Sequence, residues 1–279
     1  MKKIILGIIA LFMATSNIHS TERITLKAIQ DGAFAAERLS GIKPIAGTDQ
    51  YARISKDGNR VVRYSFKTGK QTAVLFDVNH TMGSKIDSFD GYILSPDGAK
   101  MLIQTKTERI YRRSFKAQYY IYTIASTKLE PLSEGGPQQV PVWSADSRQI
   151  AFVRDNNIHL IKLLYDNAES QVTKDGKFNQ IINGVPDWVN EEEFGHNLSF
   201  CDGTKICWIK YDESKVKSYA LQLFKGMQPE QHQYADYPGL YTYKYPKAGQ
   251  DNSKVSVWSY DIKSHKAQKL QVPLDADGY

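Results

Sequence analysis

The chain has 279 residues, 36 Lys and Arg against 30 Asp and Glu, 2 cysteines and 17 tyrosines. The net charge of +6 falls to +4 once Lys2 and Lys3 are set aside, too mild for a nucleic-acid footprint. The length allows a large core or two domains, and two cysteines exclude a disulfide-built scaffold.

Met1-Lys2-Lys3 followed by the apolar run Ile4 to Met13 has the form of a secretory signal peptide, with cleavage after Ser16 or Ser20. The run is too short to span a bilayer stably, and no cysteine at its end suggests a lipoprotein. The expected location is secreted or periplasmic, with a signal anchor as the alternative. Residues 21–51 form a lead-in that begins with a capped helical turn, Thr25-Leu26-Lys27-Ala28-Ile29. No later stretch has the form of a membrane helix.

From residue 52 a strand–turn–strand pattern recurs. It reads Ile54-Ser55-Lys56-Asp57-Gly58, then Leu94-Ser95-Pro96-Asp97-Gly98, then Trp143-Ser144-Ala145-Asp146-Ser147, then Ser199-Phe200-Cys201-Asp202-Gly203. Asp-Gly supplies the turn between antiparallel strands, and the flanks are apolar or alternate as half-buried strands do. The serines at 55, 95 and 144 lie 40 and 49 residues apart, and Phe200 lies 56 beyond Ser144. A period of about 40–50 residues with four strands per unit is the signature of a β-propeller. The expected fold is all-β, with about four blades over residues 52–279; a two-sheet sandwich would place its turn signals at about 8–12 residues, without the long period. Further strands are expected at Arg63–Phe66, Gln71–Phe76, Gln118–Ile124, Lys128–Leu132, Ser256–Ile262 and Lys266–Leu270.

The stretch Gly184-Val185-Pro186-Asp187-Trp188-Val189-Asn190-Glu191-Glu192-Glu193-Phe194 breaks the pattern. Adjacent carboxylates repel, so their placement needs a reason. In one reading Asp187 caps a short helix whose first turn holds the glutamates. In the other, Glu192 and Glu193 bind a cation. Arg109, Arg112 and Arg113 form a basic segment around Tyr111 and Phe115; alone they could be a solvated strand face. The six histidines show no ligand spacing, and Asp155-Asn156-Asn157 is a hairpin turn rather than a calcium loop, so neither metal nor cofactor is expected. A secreted location favours pairing Cys201 with Cys207. Geometry opposes it: with Cys201 facing about Thr204, Cys207 lies about three residues on, roughly 10 Å away and beyond disulfide reach.

With these residues in place, the chain resembles the dipeptidyl peptidase IV family of the prolyl oligopeptidase clan. Asp187-Trp188-Val189-Asn190-Glu191-Glu192-Glu193 is similar to that family's double-glutamate motif, with Asn190 replacing the usual tyrosine. Tyr245-Pro246-Lys247-Ala248-Gly249 with Asn252 matches a second segment, here assigned to structure. Tyr111-Arg112-Arg113-Ser114-Phe115 resembles the segment that carries the substrate-binding arginine, which falls on Arg112 rather than Arg113. The likeness runs from about Ile24 to the last residue.

The resemblance implies an eight-bladed propeller, of which this chain would hold about half, and a short helical insertion carrying the acidic motif. It also implies a C-terminal α/β-hydrolase domain with a Ser-Asp-His triad. No Gly-x-Ser-x-Gly occurs in the sequence, so the expectation is a fragment without the hydrolase domain, inactive by itself. The implied function is removal of dipeptides with Pro or Ala second from peptide amino termini. Two carboxylates suit that task, because the α-ammonium is common to every such substrate and forms charge-assisted hydrogen bonds. Glu192 and Glu193 would bind it and Arg112 the carbonyl of the penultimate residue, with Glu191 solvated. The stretch from Lys225 to Tyr241 would contribute to the substrate-facing edge and subunit contacts, and the family forms homodimers. The alternative is a non-catalytic periplasmic propeller that binds peptides.

Overall fold

A computed structural model of the chain describes residues 24–36, 41–201, 203–224 and 237–273. The expected signal segment, Asp202 of the fourth repeat turn and most of the insertion from Lys225 lie outside the described residues. The chain divides into two compact units, residues 1–40 and 41–279. In the first, α1 (Leu26–Gln30) is a short helix whose N-cap, Thr25, accepts the Ala28 N–H at 3.0 Å. Among the described residues no helix is long and apolar enough to cross a membrane.

Among the described residues, the regular structure of the second unit is strand apart from short 3-10 turns, as its alternation and turns require. The first sheet runs β1 (Lys43–Pro44), β2 (Gln50–Ile54), β3 (Arg60–Ser65), β4 (Gln71–Asp77), each antiparallel to the next. The second starts with β5 (Met82–Gly83) and continues through β6 (Gly91–Leu94), β7 (Lys100–Arg109), β8 (Phe115–Thr123) and β9 (Lys128–Pro131). Here β6 to β9 follow in antiparallel order, and β5 lies parallel against β9. The third sheet is β10 (Gln139–Trp143), β11 (Gln149–Arg154), β12 (Asn157–Lys162) and β13 (Ala168–Gln171).

The last sheet is less regular. Its strands are β14 (Ile181–Asn183), β15 (Leu198–Cys201), β16 (Lys205–Asp212), β19 (Lys254–Asp261) and β20 (Lys266–Lys269). Strand β16 pairs with β15 along its first half, with β14 along its second, and with β19 on its other side. Between β16 and β19 a separate hairpin, β17 (Ser218–Leu223) and β18 (Gly239–Lys244), leaves the sheet.

Successive sheets bury both faces of the inner ones. Met101 and Ile103 of β7 pack with Ala52, Val61 and Phe76 of the first sheet, whereas Leu102 between them packs with Ile150, Phe152 and Ile161 of the third. Ala151 and Val153 point the opposite way from Ile150 and Phe152, into a core with Ile206, Trp208 and Tyr260 of the last sheet. The two-residue period of a strand makes this division automatic. It also explains why β11 runs apolar without interruption from Ile150 to Val153 and why β12 is buried from Asn157 to Ile161.

The repeated serine explains the repeated turn. Ser55, Ser95 and Ser144 donate to Asp57, Asp97 and Asp146 at 2.5, 2.6 and 2.6 Å. Each hydroxyl also accepts the N–H five residues on, from Arg60, Lys100 and Gln149, at 3.0, 2.9 and 2.9 Å. Serine bonding holds the Asp57 and Asp146 carboxyls below the usual range. Gly58 and Gly98 take the left-handed backbone the turn requires; in the third turn Ser147 does so at φ 59°, and its Oγ accepts the Asp97 N–H at 3.0 Å. Ser144 is fully buried and Ser55 half-buried. Ser144→Ala is therefore expected to cost about 1–2 kcal/mol in urea unfolding, more than Ser55→Ala; equal losses would count against this account of the turn.

The hairpin turn at Asp155 and Asn156 has φ of 50° and 61°, the twist that joins β11 to β12. Cys201 faces Lys205 and Cys207 faces Ser199, so the cysteines are offset by two residues rather than the expected three. They are not joined by a disulfide.

Candidate amino-terminus binding site

The acidic motif occupies the connection between β14 and β15. Its base is closed by backbone pairing: Gly184 donates to Ile209 O at 3.0 Å and accepts from Asn197 N at 2.9 Å. Gly184 has φ 80°, and a Cβ there would meet Val153 Cγ2 at 3.0 Å, so both conformation and space call for glycine. Within the loop, the helical element is a single 3-10 turn, Asn190–Glu192. Asp187 Oδ1 accepts the Asn190 backbone N–H at 2.9 Å and its side-chain amide at 3.2 Å. Asp187 Oδ2 accepts from Ser253 Oγ at 2.6 Å. Asn190, where the family motif has tyrosine, is buried as part of this cap.

Strands β7 and β8 outrun their neighbours and carry the loop 110–114 at their tip. A bulge between Thr105 and Glu108, with Lys106 at φ 49°, bends this arm. Asp90 ties the bend by accepting from Thr107 N and Oγ1 at 2.9 and 2.7 Å.

The two loops meet residue by residue. Arg112 reaches Glu192 Oε2 with its guanidinium at 2.6 Å, and Tyr111 OH donates to Glu192 Oε1 at 3.2 Å. Loss of water contact and the Glu192 carboxylate push the Tyr111 phenol up. Arg113 instead turns its Nε to the backbone oxygen of Glu192 at 3.0 Å. So of the two arginines only Arg112 sets its charge against an acidic side chain here. Glu193 is exposed, and the described residues give its carboxylate no partner. Trp188 stacks between Tyr111, at 4.3 Å and 29°, and Tyr243 of β18, at 3.8 Å and 27°. Three chain segments thus grip one loop.

Glu191 corrects an expectation. It is not solvated but 3% exposed. Its Oε1 accepts from Ser114 N at 2.5 Å, from Ser114 Oγ at 3.1 Å and from Arg113 N. The 3-10 turn sends adjacent side chains in different directions, so Glu191 enters the protein while Glu192 and Glu193 stay outside. Nothing in three consecutive glutamates signals which one is inward. The aromatic grip was also missed, although Tyr241-Thr242-Tyr243-Lys244-Tyr245 carries a strand alternation that could have placed Tyr243 on the side of the tryptophan.

Residues 95–279 match the family model for the dipeptidyl peptidase IV N-terminal region. The chain belongs to the dipeptidyl peptidase IV family. It is 30% identical over 290 aligned positions to a probable dipeptidyl-aminopeptidase B of Aspergillus oryzae, covering 90% of this chain and 30% of that protein. A protein of the same description from Emericella nidulans is 38% identical over 194 positions, covering 66% of this chain and 21% of the relative. The crystal structure of Porphyromonas gingivalis dipeptidyl peptidase 4 superposes with a TM-score of 0.84 at 35% identity, covering 92% of this chain and 36% of that one. A putative dipeptidyl aminopeptidase IV from Bacteroides ovatus, at 18% identity and TM-score 0.54, shares the fold. The chain therefore spans between a fifth and about a third of the proteins it matches.

Proposed function

We propose that this chain is the substrate-binding N-terminal portion of a serine dipeptidyl peptidase, and that Glu192 and Glu193 bind the α-ammonium of a peptide while Arg112 binds the carbonyl of its penultimate residue. The observation that carries the reading is the pairing of Arg112 with Glu192 beside an unengaged Glu193. Two carboxylates and one guanidinium leave a single negative charge, which one ammonium neutralises. Charge-assisted bonds to two carboxylates then fix the amino terminus, and with it the bond two residues along. Bond cleavage belongs to an α/β-hydrolase domain, whose Gly-x-Ser-x-Gly elbow is not among these 279 residues.

In this reading the stacked antiparallel sheets are four blades of an eight-bladed propeller, with β15, β16, β19 and β20 forming the fourth. Substrates carry Pro or Ala second, the protein is exported by the segment 1–20 into the periplasm or medium, and the full-length enzyme is a homodimer. Family membership, the four-strand order of the sheets and the basic–apolar start of the sequence support these points.

The test is a binding titration with a fluorescent Ala-Pro peptide and its N-acetylated counterpart. The free amine should bind at least tenfold more tightly. Glu193→Gln should weaken the free peptide by ten- to a hundredfold, about 1.5–3 kcal/mol for a charged hydrogen bond, and leave the acetylated peptide unaffected. Equal affinity for the two peptides would remove the ammonium from the reading.

A further inference from the structure

The charged pair at the site is open to water: the Arg112 side chain is 67% exposed and that of Glu192 41%. An ion pair this exposed contributes little by itself, and each long side chain loses rotamer freedom when it is fixed. The 3-10 turn Asn190–Glu192 sets where the Glu192 backbone lies, not where its carboxylate points. Something else must orient that carboxylate if it is to meet a ligand ready-placed.

Tyr111 is the rigid group within reach. Its backbone N–H donates to Ser114 O at 3.2 Å, closing the tip of the β7–β8 arm. Its ring lies on Trp188 at 4.3 Å, and Trp188 in turn lies on Tyr243 at 3.8 Å. A tyrosine has two side-chain torsions before its hydroxyl, and stacking the ring fixes both. The hydroxyl therefore stands at a set point, where it donates to Glu192 Oε1 at 3.2 Å. Arg112 takes Oε2 at 2.6 Å, so the two carboxylate oxygens are held by different partners. The guanidinium carbon of Arg112 lies over the Tyr111 ring, 5.6 Å from its centre, so the ring face attracts this partner as well. A carboxylate offers about four lone-pair sites, and these two bonds leave the others for an ammonium.

The stack alone does not call for a tyrosine. A phenylalanine ring would lie on Trp188 equally well, and among the described residues the hydroxyl makes its hydrogen bond to Glu192 alone. Loss of water contact first, then that bond, push the phenol up, with Arg112 opposing, so the donated proton stays in place at neutral pH.

We propose that Tyr111 is a positioning residue of the amino-terminus site: its stacked ring sets, and its hydroxyl holds, the Glu192 carboxylate in the orientation that receives a peptide's α-ammonium. Tyr111 touches Glu192 and not the peptide. Its effect is preorganisation, because Glu192 gives up its rotamer freedom on folding rather than on binding. The role assigned to Tyr111 rests on the ammonium-binding role proposed above for Glu192 and Glu193.

The test is Tyr111→Phe in the full chain, which keeps the ring and removes the hydroxyl. The fluorescent Ala-Pro peptide and its N-acetylated counterpart are titrated into the parent chain, Tyr111→Phe, Glu192→Ala and the double variant. Tyr111→Phe should keep a Tm within about 2 °C of the parent. It should bind the free amine about three- to tenfold more weakly and the acetylated peptide unchanged. In the Glu192→Ala background the same substitution should alter binding by less than about twofold, because Tyr111 acts through Glu192. A tyrosine that served the stack alone would instead lower the Tm, weaken both peptides alike, or act equally in both backgrounds; any of these overturns the proposal. A parent chain that prefers the free amine, with Tyr111→Phe showing the same preference, overturns it while leaving the ammonium role standing. A parent chain indifferent to acetylation removes the ammonium role, and the role of Tyr111 with it.

Discussion

Glu191→Ala is expected to destabilise the chain by about 2–4 kcal/mol and to weaken binding of a free-amine peptide at least tenfold, although Glu191 is buried away from the proposed peptide contacts of Glu192, Glu193 and Arg112. Its Oε1 accepts both backbone N–H groups of Arg113 and Ser114 and the Ser114 hydroxyl. Removing a buried acceptor leaves those donors unpartnered, at about 1–3 kcal/mol for each group left without water. The larger consequence is positional. Those donors belong to the residues on the C-terminal side of Arg112, so the clamp fixes where the guanidinium stands relative to Glu192. Glu191→Gln retains an acceptor oxygen and should recover most of the peptide affinity. Glu193→Ala should leave stability within about 0.5 kcal/mol of the parent, as for an exposed side chain. The pair of measurements separates positioning from contact: if Glu191→Ala and Glu193→Ala gave the same unfolding free energy, the clamp would be of no consequence.

Trp188→Ala should cost a similar amount, about 2–4 kcal/mol, somewhat below the range for a fully buried tryptophan because Trp188 is half-buried. The indole lies between Tyr111 and Tyr243, and each aromatic contact adds about 0.5–1.5 kcal/mol beyond area burial. Its loss uncouples the acidic loop from the β17–β18 hairpin. Hydrogen exchange over the strands Ser218–Leu223 and Gly239–Lys244 should then accelerate at least tenfold, while β11 and β12 in the core keep their protection. Trp188→Phe retains a stacked ring and should lose less than half as much stability. Unchanged exchange in the hairpin of Trp188→Ala would show that some other contact holds it.

The β-strands were legible in the sequence because their causes are local. The turn serines, the aspartates two residues on and the glycine or serine after them carry a complete hydrogen-bonding recipe within five residues. The strands around them alternate or run apolar according to whether one face or two are covered. Strand β14 was not legible: Ile181–Asn183 is three residues long and is held by pairing with β16, some thirty residues away in sequence. The hairpin β17–β18 was missed for a related reason, since its strands leave the sheet and have no repeat partner to be compared with. At the site, the resemblance to the family pointed to an acidic pair and an arginine, and of these Arg112 and Glu192 come together across 80 residues of chain. The inward turn of Glu191 depends on donors supplied by the 110–114 loop, which no spacing within the motif encodes. Asn190 looked like a departure from the family pattern; its amide proves to be part of the Asp187 cap.

Asp187 holds a serine 66 residues further along, and Trp188 rests on a tyrosine 55 residues further along. Chains fold from the N-terminus as they are synthesised, and distant contacts form last. The first three sheets, complete by Gln171, have their mutual cores available early. The acidic loop emerges soon after, with the arm that bears Arg112 already waiting, yet it lacks two of its anchors until Tyr243 and Ser253 have left the ribosome. A nascent chain halted between residues 224 and 242 would carry three stacked sheets and every charged group of the site, with the acidic loop still short of two of its anchors.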